Sequence, residues 1–218
     1  MSDTLFSVGQ SMLELASWVI IGFISGSVPW ALIIGKARDG KDIRGVGDGN
    51  PGVANLWKLS GWPAGTVSLV LEVGKSLVPV YLAYRYLGEP SDATLQLGLA
   101  LVALAPIIGH GWSPFLRLKG GKALAASWGS WIAVTGWIAV PMACMLLVPM
   151  HVIQRNHSVT VTFCLIGFLA VFLPLFAEPH IALFWGGNLI IIIYKHRFEY
   201  SRGLTIRSWV LRCVRALT

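Results

Sequence analysis

Charged side chains are scarce in this sequence of 218 residues, since Asp, Glu, Lys and Arg together make up only 12% of it. A soluble domain contains about 25% charged residues, so this chain has too few polar side chains to cover a soluble fold. Hydrophobic residues make up 55%, the mean hydropathy is +0.68, and the apolar residues form long runs. The composition therefore predicts an integral membrane protein.

Other absences exclude whole classes of site. The three cysteines, Cys144, Cys164 and Cys213, are far apart and show no spacing typical of a disulfide or a metal site. No Lys or Arg precedes Lys36, so we expect the first apolar segment to be an uncleaved span rather than a signal peptide. A near match to a nucleotide-binding loop at Gly35–Asp42 lacks the Ser or Thr that would hold Mg²⁺. We expect no metal and no nucleotide here.

Seven apolar segments are predicted to cross the membrane. About 20 residues are needed to cross roughly 30 Å of hydrocarbon, and the last apolar run, residues 160–194, is too long for one crossing. The last run is divided by Glu178-Pro179-His180, which is typical of a turn between helices. The predicted spans are 16–35, 62–84, 93–109, 123–135, 137–152, 160–177 and 181–194.

The distribution of positive charge decides how residues 123–152 are divided. All Lys and Arg except Lys75 and Arg85 fall in four polar segments. If the run breaks near Thr135–Gly136 and crosses twice, all four segments lie on the cytoplasmic side, as basic segments of membrane proteins do. We therefore predict an all-α bundle of seven transmembrane helices that forms one domain, residues 1–218, with the N-terminus outside and the C-terminus cytoplasmic. The net charge of +7 then reflects this asymmetry, and no nucleic-acid partner is expected.

The first cytoplasmic loop contains the stretch GDGNPGVAN, from Gly47 to Asn55, with basic residues on both flanks. Glycines let backbone N–H groups approach an anion closely and form an anion-binding nest. Arg44 can clamp a phosphate through two parallel hydrogen bonds, and Asn50 and Asn55 offer donors and acceptors. The loop indicates a phosphate site, although a flexible solvated loop on the cytoplasmic side has the same composition.

A second cytoplasmic loop and the end of the last span carry related chemistry. Lys119-Gly120-Gly121-Lys122 places two cations around two glycines just before a helix, whose N-terminus adds N–H donors. His196 lies where the last span leaves the membrane and is either a general base or phosphate donor, or an interfacial anchor. Two phosphate sites on one membrane face favour a phosphorylated substrate.

Two features lie inside the predicted spans. Glu72 and Lys75 are three residues apart on one helix face, so they can pair, either as a structural ion pair or at a functional site. Gly22 and Gly26 form a GxxxG pattern, which indicates close helix packing.

Three signatures follow one another along nearly the whole chain. The first is Ser25-Gly-Ser27-Val-Pro29, then Gly35-Lys36, Asp42-Ile-Arg44 and Gly47-x-Gly49-Asn50-Pro51-Gly52-x-x-Asn55. The second is Gly109-His110-x-x-Ser113-Pro114-Phe115 with Lys119-Gly120-Gly121-Lys122, and the third is His196-Arg197 after an apolar helix. In this order they resemble the signatures of the bacterial PlsY type of glycerol-3-phosphate acyltransferase.

The resemblance implies a seven-helix enzyme of the bacterial inner membrane with its active site on the cytoplasmic side. It implies transfer of a fatty acyl group from acyl phosphate to the 1-hydroxyl of glycerol 3-phosphate, which gives lysophosphatidic acid and phosphate for phospholipid synthesis. Acyl phosphate is already activated, so no cofactor is implied. The expected partners are these two substrates and the membrane lipids, and we expect a monomer.

The resemblance also assigns residues to the site. The reaction centre would contain Arg44, Asp48, Asn50, Asn55 and His196. The residues expected to bind the substrate phosphates are Lys36, Gly49, Gly52, His110, Ser113, Lys119, Gly120, Gly121, Lys122, Arg197 and Glu199.

This chain departs from the family pattern near these positions. The family usually has Ser at Asp48, Asn at Glu199, Thr at Ala54, Gly-Val-Ala-Thr at Ala123–Ala126, and Asp-x-x-Lys-Gly at Glu72–Ser76. An ionised Asp48 would repel an incoming phosphate unless Arg44 or a lysine pairs with it.

Two alternatives to an active acyltransferase therefore stay open. One is a catalytically altered or inactive relative that binds a phospholipid or an acyl phosphate. The other is a small membrane transporter, which the Glu72–Lys75 pair would allow, although the chain shows no repeated halves.

Overall fold

A computed structural model describes residues 2–89, 92–176 and 178–217 of the chain. The backbone forms two compact units, residues 1–136 and residues 137–218, and each is described by itself. The first unit contains five α-helices among its described residues: α1 (Ser2–Ser27), α2 (Trp30–Asp39), α3 (Val53–Leu87), α4 (Ala93–Gly111) and α5 (Leu124–Thr135). The second unit contains four α-helices among its described residues: α6 (Ala139–Ile153), α7 (His157–Phe176), α8 (Pro179–His196) and α9 (Ser208–Leu217).

Apolar composition and length make several of these helices candidates for membrane spans. Within the described residues, four helical stretches are long and apolar enough to cross a membrane, namely Met12–Asp39, Val53–Leu87, Ala93–Leu116 and Leu124–Ile153. A shorter apolar helix covers His157–Val171. The predicted class, an all-helical membrane protein, is confirmed. The number of crossings, the sides of the termini and the single domain stay predictions, and the predicted end of a span at residue 177 lies outside the described residues.

Packing in the first unit brings α1 against α4 and α3 against α5. Gly26 lies so close to the backbone of Pro106 that a methyl group at this position would overlap it. A methyl group at Gly22 would lie 3.3 Å from Cδ of Pro106. The GxxxG pattern therefore serves close helix packing, as its small residues predict.

The breaks in the helices show where the sequence prediction was accurate and where it was not. The predicted division near Gly136 is present, since α5 ends there and Gly136 adopts φ 73°. The predicted span 16–35 contains an unpredicted break between α1 and α2 at Val28 and Pro29, because proline has no N–H and disfavours helical backbone in the residue before it. The predicted start at 62 follows a kink at Gly61 (φ 77°), but the helical residues 53–60 before that kink were expected to be loop.

Candidate active site

Left-handed glycines shape the first loop. Gly47 has φ 65° and Gly49 has φ 75°, a backbone conformation that glycine adopts at little cost. At Gly47 a side chain would also overlap the amide oxygen of Asn55 and lie 2.9 Å from Nζ of Lys58. The turn places Asp48 beside Asn55, in the first turn of α3.

Asp48 lies at the centre of a hydrogen-bonded cluster that both loops form. Its Oδ1 accepts hydrogen bonds from Nδ2 of Asn55 at 2.8 Å and from the backbone N–H of Asn50 at 3.2 Å. Nζ of Lys122, in the second loop, donates to Oδ2 at 2.5 Å. Burial would raise the pKa of Asp48, but the hydrogen bonds from Lys122, Asn55 and Asn50 outweigh it and lower this pKa to about 2. The two glycine-rich loops therefore meet at an ionised carboxylate.

Arg44 is paired with a different carboxylate in the same loop. Its Nη2 donates to Oδ2 of Asp42 at 2.6 Å and its Nε donates to Oδ1 at 3.0 Å. These bonds lower the pKa of Asp42 to about 2. Of the two partners left open for Asp48 by the sequence, Arg44 or a lysine, the structure has the lysine.

The second loop has an unusual backbone around Lys122. Arg117, Leu118 and Ala123 have φ of 50°, 63° and 66°, a left-handed conformation that costs a non-glycine residue about 1–2 kcal/mol. Such strain persists only where the surrounding structure enforces it, and it is common at functional sites. Ala123 is the N-cap residue of α5, so Lys122 lies directly before the N–H groups of the first turn of this helix.

Close contact with the end of α4 holds the two glycines of the second loop in place. The N–H of Gly121 donates to the carbonyl oxygen of His110 at 3.0 Å. A side chain at Gly120 would overlap this carbonyl oxygen, and one at Gly121 would overlap Nε2 of the His110 ring. Ser113 donates through Oγ to the carbonyl oxygen of Ser27 at 2.6 Å. His110 and Ser113, both predicted phosphate ligands, make these contacts with other parts of the protein.

The predicted pair inside the membrane region is present and has a third member. Nζ of Lys75 donates to Oε2 of Glu72 at 2.6 Å, and Nδ1 of His110 lies 3.1 Å from the same oxygen. All three side chains are buried. The spacing of Glu72 and Lys75 predicts their contact, whereas the contact with His110 comes from another helix and was not predicted.

The other predicted phosphate ligands of the first unit differ in exposure. Lys36, Lys119 and Gly49 are exposed, so an anion can reach them from solvent. Gly52 is buried and begins α3, where its carbonyl oxygen accepts a hydrogen bond from the N–H of Leu56 at 3.3 Å. It therefore holds the loop against the helix.

The third signature lies in the second unit. With Glu199 ionised, Nδ1 of His196 carries a proton and donates to Oε2 of Glu199 at 2.9 Å. Ser158 donates through Oγ to the same carboxylate oxygen, and the Asn156 amide donates to the Glu199 carbonyl oxygen at 3.1 Å. Ser158 and Asn156 were missed by sequence reasoning; the only signal was the polar segment around Arg155.

Arg197 next to this cluster makes contacts typical of an interfacial anchor. Its guanidinium carbon lies 4.1 Å from the ring centre of Tyr194 and 4.3 Å from that of Phe198. Its Nη1 donates to the carbonyl oxygen of Tyr194 at 2.7 Å. These cation–π contacts suit a residue near a membrane surface.

Comparison with known proteins places this geometry in context. A family model described as glycerol-3-phosphate acyltransferase matches residues 16–205. Glycerol-3-phosphate acyltransferase 1 of Thermotoga maritima is 33% identical over 198 residues, which cover 85% of this chain and 96% of the relative. The glycerol-3-phosphate acyltransferase of Desulforudis audaxviator is 36% identical over 206 residues, with coverage of 88% and 94%.

Solved structures show the same likeness in three dimensions. The crystal structure of PlsY (YgiH), an integral membrane glycerol 3-phosphate acyltransferase, in its glycerol 3-phosphate form matches with a TM-score of 0.76 and 26% identity. The match covers 86% of this chain and 90% of that chain. The lysophosphatidic acid form of the same enzyme matches with a TM-score of 0.74 and 25% identity over the same shares.

Proposed function

This chain belongs to the glycerol-3-phosphate acyltransferase family, and we propose that it transfers a fatty acyl group from acyl phosphate to the 1-hydroxyl of glycerol 3-phosphate. The products are lysophosphatidic acid and inorganic phosphate, and the reaction serves phospholipid synthesis. Both substrates carry a phosphate, which matches two glycine-rich, cationic loops in one unit.

The observation that carries this proposal is the contact between the two loops. Lys122 lies 2.5 Å from Asp48, and Asp48 also accepts a hydrogen bond from Asn55. A carboxylate is itself an oxyanion, so the groups that bind Asp48 have the chemistry needed to bind a phosphate oxygen. The geometry supports an anion site at this point, with Lys122, Asn55 and the backbone of Asn50 as donors.

The remaining assignments extend from this point. Lys119 and Arg44 are exposed cations of the same two loops, and Lys36 is an exposed cation in the last turn of α2. All three supply further charge to bind two anionic substrates. The N–H groups in the first turn of α5 add donors beside Lys122. His196 stays a predicted member of the reaction centre and Glu199 a predicted phosphate-binding residue, in both cases on the grounds of their signature alone.

The transfer needs no group beyond the two substrates. The 1-hydroxyl oxygen of glycerol 3-phosphate attacks the acyl carbon, a carbon–oxygen ester bond forms, and the bond from that carbon to the phosphate oxygen breaks. The electron pair leaves with the phosphate, which accepts the hydroxyl proton. The protein contributes by holding two anions side by side and by offsetting their repulsion with cations and N–H dipoles.

We also propose how the chain lies in the membrane. Seven crossings, with the N-terminus outside and the C-terminus cytoplasmic, put the basic polar segments on the cytoplasmic side of the bacterial inner membrane. The break at Gly136 supports a division of the 123–152 run into two helices. The protein acts as a monomer in this proposal, and each phosphorylated substrate reaches the site from the cytoplasm.

A phosphate-release assay with pure protein tests the function. We expect inorganic phosphate and lysophosphatidic acid in equal amounts when acyl phosphate and glycerol 3-phosphate are supplied together. Omission of glycerol 3-phosphate is the control for spontaneous hydrolysis. A family enzyme that is active in parallel while this protein releases no phosphate would contradict the proposal. Binding of acyl phosphate without turnover would instead indicate the inactive relative.

A further inference from the structure

Three buried polar residues of the first unit take no part in the bond-making and bond-breaking steps of the proposed reaction. Glu72 is 1% exposed, Lys75 6% and His110 8%. Each is costly to bury, because a charged or polar group in an apolar environment loses its hydration. Their burial is compensated by specific partners, and the identity of those partners points to a role.

The first set of partners is the backbone at the break between α1 and α2. Oε1 of Glu72 accepts a hydrogen bond from the N–H of Ala31 at 3.1 Å. Nζ of Lys75 donates to the carbonyl oxygen of Val28 at 2.7 Å. Ser25 donates through Oγ to the carbonyl oxygen of Lys75 at 2.7 Å. The pair therefore fixes the helix break from which the chain continues through α2 to the first loop.

The second partner is the His110 ring, which lies between the pair and the second loop. Nδ1 of the ring lies 3.1 Å from Oε2 of Glu72, so the carboxylate accepts the Nδ1 hydrogen and sets the orientation of the ring. The opposite edge of the ring, at Nε2, lies directly against the backbone of Gly121. A rotated His110 ring would therefore disturb the Gly120–Gly121 backbone.

We propose that Glu72 is a positioning residue for acceptor binding: it orients His110, and His110 holds the Gly120–Gly121 backbone in the conformation that binds the phosphate of the acceptor. Lys75 balances the buried charge of Glu72 and ties the same carboxylate to the helix break. One carboxylate thus connects the two segments that lead to the anion site. The identity of the bound anion rests on the proposed function, whereas the connection itself rests on the contacts above.

Three variants and a control test this inference. Glu72→Gln removes the charge at constant size, Glu72→Asp keeps a carboxylate, and Glu72→Gln with Lys75→Met removes both charges. Ser68→Ala is the matched control, because Ser68 is fully buried in the same helix and its hydroxyl has no hydrogen-bond partner in the described part of the chain. For each variant we would measure KM for both substrates, the thermal midpoint, and hydrogen exchange of residues 117–123.

A misoriented loop should weaken acceptor binding more than donor binding. We expect Glu72→Gln to raise KM for glycerol 3-phosphate about tenfold and to speed hydrogen exchange in residues 117–123, since small misplacements at a binding site have large effects. Glu72→Asp should stay within about threefold of the parent chain because it can still accept from His110. The double variant should recover the thermal midpoint while KM for glycerol 3-phosphate stays high.

Two results would overturn the inference. One is recovery of both the thermal midpoint and KM in the double variant, which is the behaviour of a purely structural ion pair. The other is unchanged hydrogen exchange of residues 117–123 in folded Glu72→Gln. If the parent chain releases no phosphate, the proposed function fails by itself, and the hydrogen-exchange comparison still decides the role of Glu72.

Discussion

Two carboxylate–lysine pairs of nearly equal length lie in the first unit and differ mainly in their contact with solvent. The Lys122–Asp48 distance is 2.5 Å, and the side chains are 23% and 50% exposed. The Lys75–Glu72 distance is 2.6 Å, and the side chains are 3% and 1% exposed. The first pair bridges two loops, and the second lies on one face of α3.

This difference in burial suits the two carboxylate–lysine pairs to different roles. The Lys122 side chain is in contact with solvent, and in the proposed function its carboxylate partner is exchanged for a substrate anion. An exposed pair of this kind contributes about 0–1 kcal/mol to stability. The Lys75–Glu72 pair is buried, and loss of one member of such a pair costs about 3–5 kcal/mol. The exposed pair is therefore suited to binding and the buried pair to positioning.

The largest expected effect comes from breaking the buried pair. Lys75→Met leaves Glu72 charged in an apolar environment, and we expect the free energy of unfolding to fall by about 3–5 kcal/mol. Thermal or denaturant unfolding in detergent measures this loss. Lys41→Met, which removes an exposed lysine of the first loop, is the control and should change stability by less than about 0.5 kcal/mol. Equal unfolding midpoints for the two variants would contradict the comparison.

Replacement of the lysine in the exposed pair should lower activity and leave stability nearly unchanged. Lys122→Met removes a cation from the proposed acceptor site, and we expect kcat/KM for glycerol 3-phosphate to fall about 10²–10³-fold, the usual effect of one lost charged or dipolar contact. Its thermal midpoint should stay close to that of the parent chain. Steady-state kinetics at varied glycerol 3-phosphate measures the loss, again beside Lys41→Met. A large loss of stability with little loss of activity would show that Lys122 is structural.

The sequence predicted the Glu72–Lys75 pair, but for Asp48 it left the partner open. The spacing of Glu72 and Lys75 on one helix predicted their contact, because local geometry fixes it. His110 as a third member was missed, since the contact depends on how α3 and α4 pack. Lys122 lies far along the chain from Asp48, so the sequence could name a lysine or Arg44 as its partner but could not choose between them.

The sequence likewise predicted the main features of the fold and missed some local ones. Apolar runs and the positions of basic residues predicted the helices and the division at Gly136, because these depend on composition along the chain. The break at Pro29 was missed because prolines also occur inside transmembrane helices when neighbouring groups satisfy the freed backbone. Here Glu72 and Lys75 are those groups. The polar residues next to residues 53–60 favour a loop in the sequence pattern, whereas the structure has a helix there.

Removal of the carboxylate from the exposed pair should strengthen binding of the acceptor, glycerol 3-phosphate. If Asp48 occupies the position of a phosphate oxygen, Asp48→Ser removes the carboxylate that Lys122 and Asn55 bind, and we expect KM for glycerol 3-phosphate to fall about three- to tenfold. Kinetics at fixed acyl phosphate measures this change. Glu89→Gln, which removes an exposed carboxylate after α3, should have no effect. An increase in KM for Asp48→Ser would mean that Asp48 orients Lys122 for the substrate instead of competing with it.

The strained backbone of the second loop can be relieved by a substitution next to Lys122 that leaves the Lys122 side chain unchanged. Ala123 has φ 66°, and glycine adopts this conformation without the steric cost that alanine meets. We expect Ala123→Gly to stabilise the protein by about 1 kcal/mol, which corresponds to a rise of about 2–4 °C in the thermal midpoint. Ala126→Gly, inside α5, is the control and should destabilise by about 1 kcal/mol. A fall in the midpoint for Ala123→Gly would show that the buried methyl group matters more than the backbone conformation.

The smallest expected effect is the pH dependence of the exposed pair. The pKa of Asp48 is lowered from 3.8 to about 2 in the folded protein, so its contribution to stability is fully present above about pH 4 and is lost as the pH falls toward 2. Because the carboxylate is half exposed, solvent screening limits the contribution to about 1 kcal/mol at most. The difference in thermal midpoint between the parent chain and Asp48→Ser should therefore be small but positive at pH 6 and should shrink at pH 3. High salt at pH 6 should reduce the same difference, since exposed charges are screened by ions. If the difference in thermal midpoint grew on acidification, the protonated form of Asp48 would be the one that stabilises the folded protein. The exposed pair would then not be an exchangeable ion pair.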